Sequence, residues 1–387
     1  MAFVYNLFIT AMARKPKKRI KVLFTIPNFD TAGSGKALLK IAQRLNKDVF
    51  APEILCAHSR GDFFKIVKES GLPTHVFEYT TQMKPYFKGI KKCYQISKKL
   101  EAIAPDIIHS FHYAADYSEP LAAKMAGVKW IYTKKNMNWG GNSKNGWKVR
   151  SFLASKIIIQ NTDMKELFFK NNKKTYLIPR GVDTKEFFPD KSPIQEFDKE
   201  TRIIISVANL VPVKGIEILI QSFAKVKNRK EWKLLIVGDD KNDYGFVLKA
   251  LVSELNLDND VVFIGKVLNV KEYLNLAEIF VLPTLNKGRK EGSPVSLLEA
   301  MACGVNVLGS NIPGIKDQLS SFSSHKFEAG DVNDLMCKLQ SLMENSKQKN
   351  KEIGLQLKDF VKQNYTIEQE VFKTENLYKM IINKTYL

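Results

Sequence analysis

The sequence predicts an α/β protein of two doubly wound, Rossmann-like domains in tandem, facing each other across a cleft. Three observations predict it. Short β-branched runs alternate with helical segments along nearly the whole chain. A charged, proline-containing stretch interrupts that alternation near the middle, after which it restarts. The chain has 387 residues, more than a single core usually serves.

The first alternation begins with an apolar strand over 20–26 (IKVLFTI) and an amphipathic helix over 35–45. Strands follow over 53–56, 74–77, 106–109, 129–132, 156–159 and 175–178, with helical stretches between them. Such near-continuous apolar strands suit a parallel sheet covered on both faces. Residues 188–200 (FPDKSPIQEFDKE) hold two prolines and six charges without an apolar period and read as a linker. The second alternation has strands over 203–207, 233–237, 260–264, 279–282 and 306–308. Helices over 215–226, 244–255, 270–276 and 294–303 lie between them. The organisation expected is a terminal segment (1–19), a first domain (20–187), the linker, a second domain (201–365) and a last helical segment (366–387) that crosses back to the first domain.

Composition narrows the function classes. Hydrophobic residues make up 44% and charged residues 26%, which is globular composition rather than disorder. Cys56, Cys93, Cys303 and Cys337 form no CxxC pair and imply neither a zinc framework nor a disulfide scaffold. The net charge of +20 is uneven. Residues 1–190 hold 33 basic and 15 acidic residues, whereas 191–387 hold 27 and 25. The stretch 84–100 carries six basic residues and no acid, and 121–162 carries eight and none. Such a field attracts phosphate-rich partners, whether a membrane surface, a lipid phosphate or a nucleic acid; the alternative is a solubility charge. Residues 1–12 (MAFVYNLFITAM) are too few to span a bilayer, and six basic residues follow them between Arg14 and Lys21. The segment reads as a surface anchor or as a frayed tail.

The chemistry concentrates in 291–299 (EGSPVSLLE). Ser293 suits an N-cap and Pro294 the first helical position. Gly304 ends the helix. Its start offers unpaired N–H groups from Val295 and Ser296 onward, an anion site suited to a diphosphate. Glu291 lies just ahead of that end and Glu299 about one and a half turns inside, so two carboxylates bracket the phosphate position. Carboxylates accept paired hydroxyl hydrogen bonds, as the diols of a sugar and a ribose offer. The plain alternative is two acids decorating an ordinary helix. In 207–215 (VANLVPVKG), a strand end and a loop lead to Lys214 at a helix start, placed to meet a diphosphate leaving group.

These segments together resemble the retaining glycosyltransferases of family four, which have the GT-B fold. EGSPVSLLE before AMACG matches the family's paired glutamates, and VANLVPVKG its strand–loop–Lys-Gly segment. YLIPRGVD (176–183) matches its IPNGVD stretch, and DIIHSFH (106–112) its histidine-bearing strand. The resemblance covers nearly the whole chain. It implies hexosyl transfer with retention from a UDP- or GDP-sugar, without a metal ion. It implies that Lys214 and the Pro294 helix end hold the diphosphate, Glu299 the ribose and Glu291 the hexose. Two positions depart from the family. Asn209 stands where an arginine is usual, so a second positive charge is missing or comes from Arg180 or Arg289. Phe111 stands where the histidine is usual, flanked by His109 and His112, either of which can face the donor sugar.

Residues 31–36 (TAGSGK) look like a nucleotide P-loop but lack the Gly at Asp30 and the Ser or Thr at Ala37. The resemblance instead puts Gly33 and Gly35 between the first strand and helix, with backbone N–H groups near the donor or acceptor. Asp239 and Asp240 read as a strand-end turn rather than a metal site.

The function expected is therefore a cytoplasmic glycosyltransferase, peripheral on the inner face of the membrane. Its acceptor is a glycan or a lipid-linked sugar, in cell-surface polysaccharide or lipopolysaccharide synthesis. Rival readings are a nucleotide-sugar epimerase or hydrolase on the same fold, and a basic nucleic-acid-binding protein, which no aromatic RNA-binding motif supports.

Overall fold

In the computed structural model the described residues are 19–383, apart from 31, 113, 139–143, 191–193, 195, 196, 199, 289 and 291 and the side chains of Ala32 and Asp62. The expectations for residues 1–18, for much of the linker, and for Arg289 and Glu291 lie outside the described residues.

The strands, in chain order, are β1 (Ile20–Ile26), β2 (Phe50–Cys56), β3 (Thr74–Val76), β4 (Ile107–Ser110), β5 (Lys129–Lys134), β6 (Lys156–Ile159) and β7 (Thr175–Leu177). After them come β8 (Arg202–Val207), β9 (Trp232–Val237), β10 (Val261–Gly265), β11 (Ile279–Leu282), β12 (Asn306–Ser310) and β13 (Lys326–Phe327). They form a seven-stranded sheet, β3-β2-β1-β4-β5-β6-β7, and a six-stranded one, β10-β9-β8-β11-β12-β13. The pairs are parallel: Val22 of β1 faces Pro52 of β2 on one side and Ile107 of β4 on the other. Pro52 is tolerated because β3 reaches only Ile54–Cys56 of β2, so its missing N–H falls where no third strand needs it.

The helices explain why the sheets are apolar on both faces. In the second sheet Ile203, Ile205, Val237, Phe280 and Val307 join one core. The alternate residues Ile204, Leu234, Ile236, Val281 and Leu308 join the other. Period-two alternation thus feeds two separate layers of helices, the doubly wound arrangement. Each fully buried Ile or Leu contributes about 1.5–3 kcal/mol.

By contact, the described chain forms two compact units: residues up to Tyr132, 145–156 and from Leu377 onward, and residues 133–144 and 157–376.

The first helix begins at Ala32, not at Gly35. Gly33 and Gly35 are therefore turns of that helix and not a loop, which corrects the expectation. Gly35 is a packing residue: a Cβ there would come within 2.8 Å of the Phe29 ring. Beyond Gly33 a Cβ would meet nothing, so that position alone keeps an open approach.

Candidate functional site

In a doubly wound sheet, ligands bind beyond the carboxyl ends of the strands where the order reverses. In the second sheet β8 lies between β9 and β11, so the reversal falls between β8 and β11. The loops leaving those two strands are 208–215 and 283–294, the segments that carry the predicted chemistry.

The two loops are built onto each other. Leu285 N–H donates to Val213 O at 2.8 Å. The 3-10 turn Pro212–Lys214 closes on Gly215, whose φ of 64° and approach to Pro283 O, 2.3 Å from a would-be Cβ, both demand glycine. This close seating explains the Lys-Gly pair physically. Lys214 is 7% exposed on that turn. Asn209 is exposed on the same loop. The following helix, Ile216–Lys225, is held at its start by Tyr244, whose hydroxyl accepts from Ile216 N–H at 3.1 Å and donates to Glu217.

Beyond β11 the chain reaches the helix Val295–Ala302. Its buried Leu297, Leu298, Ala300 and Met301 fix it in the core. Pro294, with φ −69° and ψ 123°, is the capping residue, one position later than expected for Ser293. The Ser293 hydroxyl makes no capping bond and instead accepts from Gln318 Nε2 at 3.0 Å, which also donates to Pro294 O at 3.0 Å. No side chain caps this helix and its first turn has no acid, so the helix start around Val295 and Ser296 carries the partial positive charge that favours an anion. Both residues are half-buried there, as is Glu299 within the helix.

The stretch before the helix is gripped by residues far upstream. Gly292 N–H donates to Lys135 O at 2.9 Å, and Met137 N–H to Lys290 O at 3.0 Å. Asn161, fully buried, accepts from Met164 N–H at 2.9 Å and donates through Nδ2 to Gly292 O at 2.6 Å. Next to it Thr162 donates twice to Asp317, at 2.7 and 2.9 Å, and Lys316 pairs with Asp163 at 2.8 Å. Gly314, at φ 85°, lies too close to Gly292 O for any side chain. Asn161 is thus a positioning residue for the Lys290–Ser293 stretch, on which Glu291 sits in sequence. Asn161→Asp keeps the capping oxygen and loses the amide donor, a change of about 1–3 kcal/mol for the buried carbonyl. Amide exchange at Gly292 and Ser293 should accelerate about tenfold or more, while Met164 stays protected. Equal exchange at both places would remove the role.

Other predicted residues find structural work. Arg180 Nη1 pairs with Glu370 Oε1 at 2.9 Å, and Gly181 N–H donates to Glu370 Oε2 at 2.8 Å. The pair accounts for this arginine without a ligand. A Cβ on Gly181 would lie 2.3 Å from Thr366 O, and Val182 N–H donates to Tyr365 O at 2.8 Å. YLIPRGVD is, in this chain, the seat of the last helix, Ile367–Asn383. Asp240 pairs with Lys249 at 2.5 Å, a hydrogen bond that lowers its pKa, and Asn242 Nδ2 donates to Asp239 O at 2.7 Å in a turn.

In the first unit His109 is 1% exposed, bonded through Nδ1 to the Tyr378 hydroxyl at 2.5 Å and packed 4.8 Å from the Phe111 ring. The expectation that His109 faces the donor meets a side chain buried in β4 and tied to the last helix through Tyr378. His112, in the loop after β4, is half-buried and edge-on to Tyr79 at 6.5 Å. That loop is set by a cluster the sequence did not reveal. Arg150, 0% exposed, donates to Asp116 O at 2.6 Å and to His112 O at 3.0 Å, stacked 4.6 Å from the Trp130 ring. Glu119, 3.7 Å from Arg150, accepts from Thr25 and Ser110 at 2.5 and 2.7 Å. Burial pushes its carboxyl pKa up against those bonds.

The recess of about 820 Å³ beside Arg202 and Trp232 lies at the amino ends of β8 and β9, the opposite edge from the reversal point, and takes no part in the site. Among the described residues no group of three His, Cys, Asp or Glu side chains could hold a metal ion.

Two family models match the chain: Glycosyltransferase Family 4 over residues 31–186 and Glycosyl transferases group 1 over 187–355. Among curated relatives, the chain is 28% identical over 216 residues to N-acetyl-alpha-D-glucosaminyl L-malate synthase of Bacillus anthracis, a match spanning 54% of each protein. It is 25% identical over 322 residues to N,N'-diacetylbacillosaminyl-diphospho-undecaprenol alpha-1,3-N-acetylgalactosaminyltransferase of Campylobacter jejuni, covering 76% of this chain and 83% of that one. Among solved structures, Anabaena HepE in complex with UDP and glucose superposes with a TM-score of 0.77 at 18% identity, covering 94% of this chain and 99% of that one. At that identity the likeness concerns the fold.

Proposed function

Because the chain belongs to the family-four glycosyltransferases, its two family matches together spanning residues 31–355, we propose that it moves a hexosyl group, with retention, from a UDP- or GDP-sugar to a glycan or lipid-linked acceptor at an anionic membrane surface. The observation that carries this reading is the uncapped start of the helix Val295–Ala302, together with buried Lys214 on the loop fused to the one that leads to it. A helix end and an ammonium are what a departing diphosphate needs: N–H donors and positive charge aimed where negative charge accumulates. Glu299 takes the ribose and Glu291 the hexose hydroxyls. No step calls for a metal ion. Relatives act on diphospho-undecaprenol-linked sugars by name, which favours a lipid-linked acceptor of cell-surface polysaccharide or lipopolysaccharide synthesis.

The test is a thermal-shift screen of UDP, GDP and their sugars against the full chain, since a ligand bound to the native state raises the melting temperature by mass action. One nucleotide series should stabilise the protein; stabilisation by none ends the donor reading. On the donor so found, Glu291→Gln should lower turnover about 10- to 150-fold, the equivalent of about 1.5–3 kcal/mol for charge-assisted hydrogen bonds. Its melting temperature without ligand should match wild type. Wild-type turnover in this variant removes Glu291 from the site.

A further inference from the structure

The helix Tyr86–Ile103 buries Gly89, Cys93, Ile96, Ser97 and Leu100 against the first unit. Its outer side is unusual. Phe87 is 80% exposed, Tyr86 57%, Tyr94 56% and Ile90 48%. Isolated exposed apolar residues need no explanation, but four on one helix do. At about 100° per residue, Phe87, Ile90 and Tyr94 fall within about a 60° arc, one turn above another. Continuing round the helix from that arc come Lys91 and Lys98, then Lys88, Lys92 and Lys99, all exposed. The stretch 84–100 has no acidic residue. Lys98 leans over the Tyr94 ring at 5.2 Å and pairs with Glu101. Lys88, Lys91 and Lys92 have no carboxylate partner among the described residues.

We propose that this helix is the membrane-docking face of the protein. It lies flat on an anionic bilayer, with Phe87, Ile90 and Tyr94 in the headgroup–acyl boundary and the lysines on lipid phosphates. The proposal rests on the membrane reading above and gives it a surface. An interfacial helix combines an apolar stripe with cationic residues beside it, and this one has both on its solvent side. Lysine stems can lie along the apolar boundary while their ammonium groups reach outward to phosphate. Tyrosine suits the same depth, its ring apolar and its hydroxyl toward water. Charge selects among occupants. A second copy of the chain would bring its own lysines against these. A nucleic acid would satisfy the lysines but leave Ile90 and Phe87 on a convex helix with no groove to seat bases. An anionic lipid surface satisfies both halves. Among the described residues no helix is long and apolar enough to cross a membrane.

The test is co-sedimentation of the full chain with vesicles of phosphatidylcholine alone and of equal parts phosphatidylcholine and phosphatidylglycerol. The substituted side chains are exposed, and circular dichroism checks the fold of each variant. The wild type should bind the anionic vesicles and release in high salt. The triple change Phe87→Ser, Ile90→Ser, Tyr94→Ser should weaken binding at least tenfold, and Lys88→Ser, Lys91→Ser, Lys92→Ser should abolish the preference for anionic lipid. A chain lacking residues 1–18 should keep the helix-dependent part. Phe87→Trp should shift its emission to the blue on vesicles and be quenched by brominated lipid. If the wild type binds and both triple variants bind equally well, the helix is not the docking face, though the membrane reading stands. If the wild type binds neither vesicle, both fall together. Loss of binding to an RNA oligonucleotide in place of vesicles, or a dimer that the Ser variants dissociate, would assign the face to those partners instead. Nucleotide stabilisation, measured in the same samples without lipid, keeps the donor reading separate.

Discussion

Lys214→Ala should lower kcat by about 100- to 1,000-fold, the loss that follows removal of one preorganised donor to a developing oxyanion. The structural reason is where the lysine is held. Its turn closes on Gly215, whose lack of a Cβ lets the backbone pass Pro283 O, and Leu285 ties the same turn to the loop leaving β11. A charge fixed on such a support needs no rearrangement as the diphosphate departs, so its effect grows toward the transition state. Turnover should therefore fall far more than acceptor affinity. Lys214→Met separates charge from volume, since it keeps most of the buried stem. It should be nearly as slow as the alanine variant while melting like wild type. A rise in acceptor KM at unchanged kcat would contradict the role.

Much of this was legible in the sequence because it depends on local periods. Strands buried on both faces announce themselves as apolar runs, and all the longer strands are read from them. β13, two residues long, has no period to show. The Lys-Gly loop and the Pro294 helix were legible for a similar reason, since glycine and proline mark backbone geometry directly. What the sequence concealed depends on contacts distant along the chain. Ser293 looks like a cap in sequence, but its hydroxyl meets Gln318 and the helix start is left to Pro294. Asn161 is an unremarkable helix cap until its second amide hydrogen reaches Gly292, 131 residues away. His109 and His112 are equivalent in sequence, and only the last helix, through Tyr378, makes one of them core. The cluster of Glu119 and Arg150 had no signal at all, for nothing in either neighbourhood marks a buried charge.

The second large effect concerns Arg180, which the sequence offered as a donor-binding charge and the structure pairs with Glu370. Their side chains are 9% and 5% exposed. Removing one member of such a pair leaves the other charge buried without compensation, a loss of about 3–5 kcal/mol. Glu370→Ala should therefore lower stability by that amount in urea unfolding, with the loss of the Gly181 N–H acceptor included. The double variant Arg180→Met, Glu370→Leu should recover the part due to the unpaired Arg180 charge, because apolar groups of similar size need no counterion, while the Gly181 N–H stays without its acceptor. The pH dependence has a definite sign. Burial raises the Glu370 carboxyl above its ordinary value, with Arg180 and the Gly181 N–H opposing. A raised folded pKa means that the unfolded chain releases this proton first. The contribution is thus complete below the ordinary glutamate value and is lost as pH rises through the folded value. Glu370→Ala should lack this component of the slope. A variant that unfolds within about 1 kcal/mol of wild type at neutral pH, yet loses nucleotide stabilisation, would return Arg180 to the donor site as the second positive charge that Asn209 does not supply.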